Sequence, residues 1–123
     1  MQKWNVLAVG TLLVAHGLAG AAGGVYVPTP GVLCDKPSGF CADGTGISAS
    51  WTEKYLGSQA AHKLSVIMTD PQGFDGSVFT LSNRVHCEIK AKVCTRSKLD
   101  NKVEPVATQA LFGKLPAAAA GRP

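Results

Sequence analysis

The spacing of apolar positions changes period several times along the chain. Trp4 to Leu18 is an apolar run of about 15 residues, interrupted by Asn5, Gly10, His16 and Gly17, and short of the roughly 20 residues needed to span a bilayer. Val25-Tyr26-Val27 then reads as a short extended piece. Pro28 and Pro30 lack amide donors, so this piece suits an edge strand but not a central one. Val32-Leu33-Cys34 and Phe40-Cys41 flank Asp35-Lys36-Pro37-Ser38-Gly39, which predicts a hairpin with Gly39 left-handed. Ala42 to Ser48 is a second turn with two glycines.

From Trp51 the period lengthens. Leu56, Ala60, Leu64, Ile67 and Met68 recur at three and four, predicting one helix of about 16 residues ending before Pro71. Ser50 and Glu53 match a capping box, with Thr52 the competing cap. Gly57 weakens such a helix by about 1 kcal/mol relative to alanine, which suggests close packing there. Val78 to Leu81 and Arg84 to Cys87 read as strands joined at Ser82-Asn83. Ile89 and Val93 flank Lys90-Ala91-Lys92, a hairpin site with poor turn chemistry because it has neither Gly nor Pro. Ser97 to Pro105 reads as polar loop, and Val106 to Phe112 as a closing strand ended by Gly113. The fold class expected is α+β: a small, mostly antiparallel sheet with one packed helix.

The cysteines add the strongest constraint. Cys34 to Cys41 and Cys87 to Cys94 are brackets of equal length, each Val-x-Cys-acid followed by five residues and Cys. So short a match does not separate a repeat from coincidence, but it supports a common local device. Zinc sites normally place two to four residues between paired cysteines, and redox pairs use two; six fits neither. Local disulfides Cys34–Cys41 and Cys87–Cys94 are preferred, with pairing of Cys34 to Cys87 or Cys94 as the alternative that would break the hairpin reading.

The start of the chain fits that chemistry. Met1-Gln2-Lys3, the apolar run and Ala19-Gly20-Ala21 have the three parts of an export signal, with cleavage expected after Ala21. The organisation expected is a signal peptide at 1–21, one exported disulfide-stabilised domain at 22–114 and a disordered tail at 115–123. No membrane span remains after cleavage, and the location expected is periplasmic or secreted. A domain of this size has a small core, which disulfides supplement.

Charge and motifs narrow the function less. Without the leader the chain carries 11 basic and 8 acidic side chains, a mild excess spread along its length. That points away from nucleic acid and leaves contact with an acidic envelope polymer as the minor reading of the basic run Lys90 to Lys102. There is no Gly-x-Ser-x-Gly, His-Glu-x-x-His or phosphate loop. His62 falls on the polar side of the helix, and His86 reads as a surface strand residue. Asp70 and Asp75 flank a glycine-containing loop but lack the alternating acids of a calcium site. No metal and no cofactor is expected. Trp51, Tyr55, Asp70 and Asp75 are the candidate binding residues, with Trp51 foremost because it opens the helix.

Several short segments in combination, Gly31-Val-Leu-Cys-Asp35, Gly39-Phe-Cys-Ala-Asp43, Gly46-Ile-Ser48, Thr52-Glu-Lys-Tyr-Leu-Gly57, Phe79-Thr-Leu-Ser-Asn83, Val85-His-Cys87 and Leu111-Phe-Gly-Lys114, resemble the Fels prophage protein-like family of YcgJ-like small exported bacterial proteins. The likeness runs over about residues 25 to 114. The family has Asn-Gly where this chain has Asn83-Arg84, a departure because an Asn-Gly hairpin turn uses positive φ at both central positions. The resemblance implies a periplasmic or secreted protein of unknown function and supplies no catalytic residues. The function expected is therefore a non-enzymatic binding or inhibitor-like protein of the envelope, whose partner is another envelope protein or a cell-wall component. A hydrolase using His62 or His86, or a purely structural envelope or phage-associated role, stands as the alternative.

Overall fold

A computed structural model describes residues 24–115; the expected signal peptide and nearly all of the expected tail lie outside them. Two four-stranded antiparallel meanders follow one another. The first comprises β1 (Val25–Thr29), β2 (Val32–Asp35), β3 (Phe40–Asp43) and β4 (Gly46–Ser48). Two helices follow, α1 (Ala49–Leu56) and α2 (Ser58–Met68). The second comprises β5 (Val78–Thr80), β6 (His86–Glu88), β7 (Val93–Ser97) and β8 (Asp100–Val103), and leads into α3 (Pro105–Phe112). The α+β class, the antiparallel pairing and both local disulfides are as the sequence predicts.

The element count differs, for local reasons. The expected single helix is two, broken at Gly57, whose φ of +100° belongs to neither helix. A Cβ at Gly57 would meet nothing within 4 Å, so backbone conformation and not close packing selects glycine there. The cap of α1 is Ser48, whose Oγ accepts from the Trp51 amide at 3.1 Å, while Ser50 sits inside the helix. The expected closing strand is α3, capped by the Glu104 carboxylate on the Val106 and Ala107 amides and ended by left-handed Gly113. Pro105 at its first turn fits a helix start better than a strand. The expected polar loop from Ser97 contains β8.

Both hairpin predictions hold. Gly39 is left-handed at φ +81°, and Lys92 takes the same role at +55° without being glycine. Arg84 likewise adopts φ +80°, so the turn closes with Arg84 N–H donating to the Leu81 carbonyl at 2.8 Å.

Side chains alternate across each strand, and this sorts the core. On β2 and β3, Leu33 and Ala42 face the second sheet and join Phe79, Val85, Cys87, Cys94, Ala107 and Leu111 in the larger buried cluster. Val32, Cys34 and Cys41 face the other way, beneath α1. Helix α3 thus lies between its own β7 and β2 of the first sheet. The buried Asp35 carboxylate crosses the same boundary, with Oδ2 accepting from the Ser82 amide at 2.6 Å and Oδ1 from the Ser82 hydroxyl at 2.7 Å.

Candidate functional site

The first disulfide sits on a directly opposed cross-strand pair, Cys34 on β2 and Cys41 on β3. Helix α1 is fastened over it by Thr52, whose buried Oγ1 accepts from the Cys41 amide at 2.8 Å and donates to the Ser48 carbonyl at 2.6 Å. A hydroxyl that bridges a strand amide and the helix's first carbonyl fixes the rotation of the helix about its axis. Residues one before and three after Thr52 therefore have set positions. They are Trp51 and Tyr55, four apart on one face.

Their rings lie near-parallel, at 15° and 5.9 Å between centroids. Both are half-buried and, with Tyr26 and Leu56, cover Val32 and the Cys34–Cys41 bridge. The Lys54 ammonium stands 5.7 Å from the Trp51 centroid and 5.6 Å from that of Tyr55, within the range of cation–π attraction. Lys36 lies 5.7 Å from the Tyr26 ring in the same manner. The result is a set of aromatic faces rimmed by two exposed cations and backed by a cross-linked hairpin.

Asp43 orients the central ring. Its Oδ2 accepts from Trp51 Nε1–H at 3.0 Å, and its Oδ1 accepts from the Thr45 amide at 2.8 Å and hydroxyl at 2.6 Å. Partial burial pushes the Asp43 carboxyl up, but the hydrogen bonds from Thr45, Trp51 and the Gly46 backbone outweigh it and hold the group below its ordinary value of 3.8.

Of the sequence-predicted residues, Trp51 and Tyr55 come together here. Asp70 and Asp75 stay on their exposed loop, where each carboxylate closes a local turn: Asp70 accepts from the Gln72 amide, Asp75 from the Ser77 amide and hydroxyl. Those Ser77 hydrogen bonds, with the Lys90 charge adding to them, lower the Asp75 carboxyl. Among the described residues no hydrogen bond links either aspartate to Trp51 or Tyr55, and no cluster of His, Cys, Asp and Glu is arranged to hold a metal. Asp43 and Lys54 were missed by sequence reasoning. The Asp-Gly-Thr-Gly turn marks Asp43 as a turn residue, but only the fold brings it under Trp51, eight positions on.

The histidines divide. His62 is exposed on α2, whereas His86, expected at the surface, is only 7% exposed in the middle of the second sheet. Its Nδ1 shares a hydrogen bond with Thr80 Oγ1 at 2.8 Å, and its Nε2 lies 3.5 Å from Glu88. The cross-strand pairing of Thr80 with His86, and Glu88 two residues on, accounts for this row on one flat sheet face. An open apolar groove is lined by residues including Pro30, Gly31, Val106, Gln109 and Phe112, with no described histidine and no residue of the Trp51 patch among its lining.

No solved structure matches the chain. The uncharacterized protein YcgJ of Escherichia coli (strain K12) is 35% identical over 111 residues, covering 85% of this chain and 86% of the relative. The YcgJ protein family matches residues 25–112, from the first residue of β1 to the last of α3, so the match spans both sheets and both disulfides. The chain belongs to the YcgJ protein family.

Proposed function

We propose that the protein is a non-enzymatic binding protein of the bacterial envelope, and that its ligand is an anionic cell-wall glycan held against Trp51 and Tyr55. The observation that carries the reading is the near-parallel ring pair under one exposed ammonium. Sugar rings present C–H faces that pack on aromatic faces, and Lys54 and Lys36 supply charge for carboxylate or phosphate groups on the polymer. The cross-linked hairpin beneath keeps the platform rigid, so little ordering entropy is lost on binding. Export is supported by the leader-like first 21 residues together with two disulfides, which persist in oxidising compartments.

The hydrolytic alternative has less support. The Thr80–His86–Glu88 row offers a hydroxyl, an imidazole and a carboxylate, but the imidazole is buried between two exposed partners and none of the three lines the groove, where a substrate would be oriented and water excluded. Co-sedimentation of the mature protein with purified peptidoglycan sacculi, with and without attached anionic polymer, tests the proposal. Wild type should pellet with the anionic sacculi, and the Tyr55→Ala and Lys54→Glu variants should remain in the supernatant. Equal recovery of all three, or capture only of a periplasmic protein, would refute the glycan ligand.

A further inference from the structure

We infer that the domain is a tandem duplication of one unit, four meandering strands and a helix, and that the counterpart of the Trp51 surface in the second unit holds the two units together. Two matching brackets of cysteines do not establish this. The backbone does. Applying the offset from Cys34 to Cys87 along the first meander sets Val25 on Val78, Tyr26 on Phe79, Val32 on Val85, Asp35 on Glu88 and Cys41 on Cys94. The cross-strand partners follow suit: Tyr26 opposite Cys34 and Phe79 opposite Cys87, Cys34 opposite Cys41 and Cys87 opposite Cys94.

The same offset sets Gly31 on Arg84 and Gly39 on Lys92. These four residues have φ of +88°, +80°, +81° and +55°, and Arg84 and Lys92 are the non-glycine residues of positive φ among those described. A Cβ at Gly31 or Gly39 would meet nothing within 4 Å, so the positions require a backbone conformation and not an absent side chain. Two unrelated meanders would have no reason to place their left-handed residues at matching positions. The turn hydrogen bonds also coincide: Lys36 N–H to Gly24 O and Ile89 N–H to Ser77 O, Gly39 N–H to Lys36 O and Lys92 N–H to Ile89 O.

The helices correspond at a slightly longer offset, that from Ser48 to Glu104, because the second unit has extra residues around the β7–β8 irregularity. Both helices are 8 residues long, both are capped by the side chain of that first residue, and both end at a positive-φ glycine, Gly57 or Gly113. Thr108 repeats Thr52 in full. Its buried Oγ1 accepts from the Cys94 amide at 2.9 Å and donates to the Glu104 carbonyl at 2.6 Å.

Equivalence of backbone makes the difference in side chains informative. Trp51, Lys54 and Tyr55 correspond to Ala107, Ala110 and Leu111. Ala107 and Leu111 are buried with Leu33 and Ala42 of the first sheet. The helix surface that reaches the other unit's sheet in the second unit covers its own hairpin in the first, where half-buried Trp51 and Tyr55 and exposed Lys54 stand in place of small and aliphatic residues. The sheet face that receives α3 is apolar, with Leu33 and Ala42; its counterpart in the second unit carries buried His86 and half-buried Thr95 in their place. One copy of the aromatic surface therefore remains between the two units, a consequence that rests on the proposed function.

Exchange of turns tests the duplication apart from any ligand. Lys90→Pro, Ala91→Ser and Lys92→Gly together give the second hairpin the turn sequence of the first. Equivalent hairpins predict that this triple variant, and separately Arg84→Gly, form the Cys87–Cys94 bond and unfold at the same or a higher urea midpoint than wild type. A lower midpoint for both, or a Cys87 that pairs with another cysteine in peptide mapping, would overturn the inference. Failure of the wild type to pellet with anionic sacculi, with both midpoints retained, would count against the proposed ligand alone.

Discussion

Replacing Asp35 by alanine removes the polar tie between the two meanders. Asp35 is 0% exposed, and both of its oxygens accept hydrogen bonds from Ser82. Hydrogen bonds to a carboxylate contribute about 1.5–3 kcal/mol each, while removing the carboxylate also removes its desolvation penalty. The alanine variant also leaves a void at the buried Asp35 side and takes the partner from the Ser82 amide and hydroxyl, although Ser82 itself is exposed. A net loss of about 2–4 kcal/mol is expected, because breaking one side of a buried polar contact is worse than never having made it. At about 0.05–0.15 kcal/mol per residue of total stability, that is a large share for a domain of this size. The thermal midpoint should fall by about 8–32 °C, at about 4–8 °C per kcal/mol for domains of 60–100 residues. Ser82→Ala retains the amide donor and should lose about 1 kcal/mol. Urea denaturation with both disulfides intact, followed by circular dichroism, measures both variants. A change below about 0.5 kcal/mol for Asp35→Ala, the range of an ordinary surface substitution, would refute the role given to this carboxylate.

Thr52→Val and Thr108→Val each remove a hydroxyl that bridges a cysteine amide and a helix carbonyl. Each should cost about 1–3 kcal/mol in urea denaturation, since the strand amide is left buried without a partner, and the two should be similar. The Asp43 carboxyl is depressed by its hydrogen bonds, so its stabilising contribution is present above its ordinary value of 3.8 and is lost as pH falls through the lower folded-state value. Trp51 is the sole tryptophan in residues 22–123, so the fluorescence of that segment should report that acid step, and Asp43→Asn should abolish it.

How much of this was legible in the sequence depends on the range of the interaction. The hairpins were, because Pro37, Gly39 and the cysteine brackets act within a few residues. Helix α3 was not: Val106 to Phe112 has apolar residues at spacings that suit either a strand or one short helix face, and the deciding signals are Glu104 as cap and Pro105 at the first turn. The break at Gly57 was hidden because a 3–4 spacing continues across it, and only the φ of +100° shows that the chain leaves the helix. At the candidate site, Trp51 and Tyr55 follow from helical spacing, whereas the Asp43 bond to the indole and the burial of His86 depend on strand register. Register also conceals the duplication, since Arg84 and Lys92 give no hint in sequence that they stand where glycine stands in the first meander.

Lys54→Glu separates binding from stability, because Lys54 is exposed and its ammonium stands 5.7 and 5.6 Å from the centroids of the two rings that form the platform. Its substitution should leave the urea midpoint within about 0.5 kcal/mol of wild type, as for other surface changes. Recovery with anionic sacculi should fall at least about tenfold, the change that about 1.4 kcal/mol of lost binding energy produces. Unchanged recovery with an unchanged midpoint would contradict the assignment of the Trp51–Tyr55 surface as the binding site.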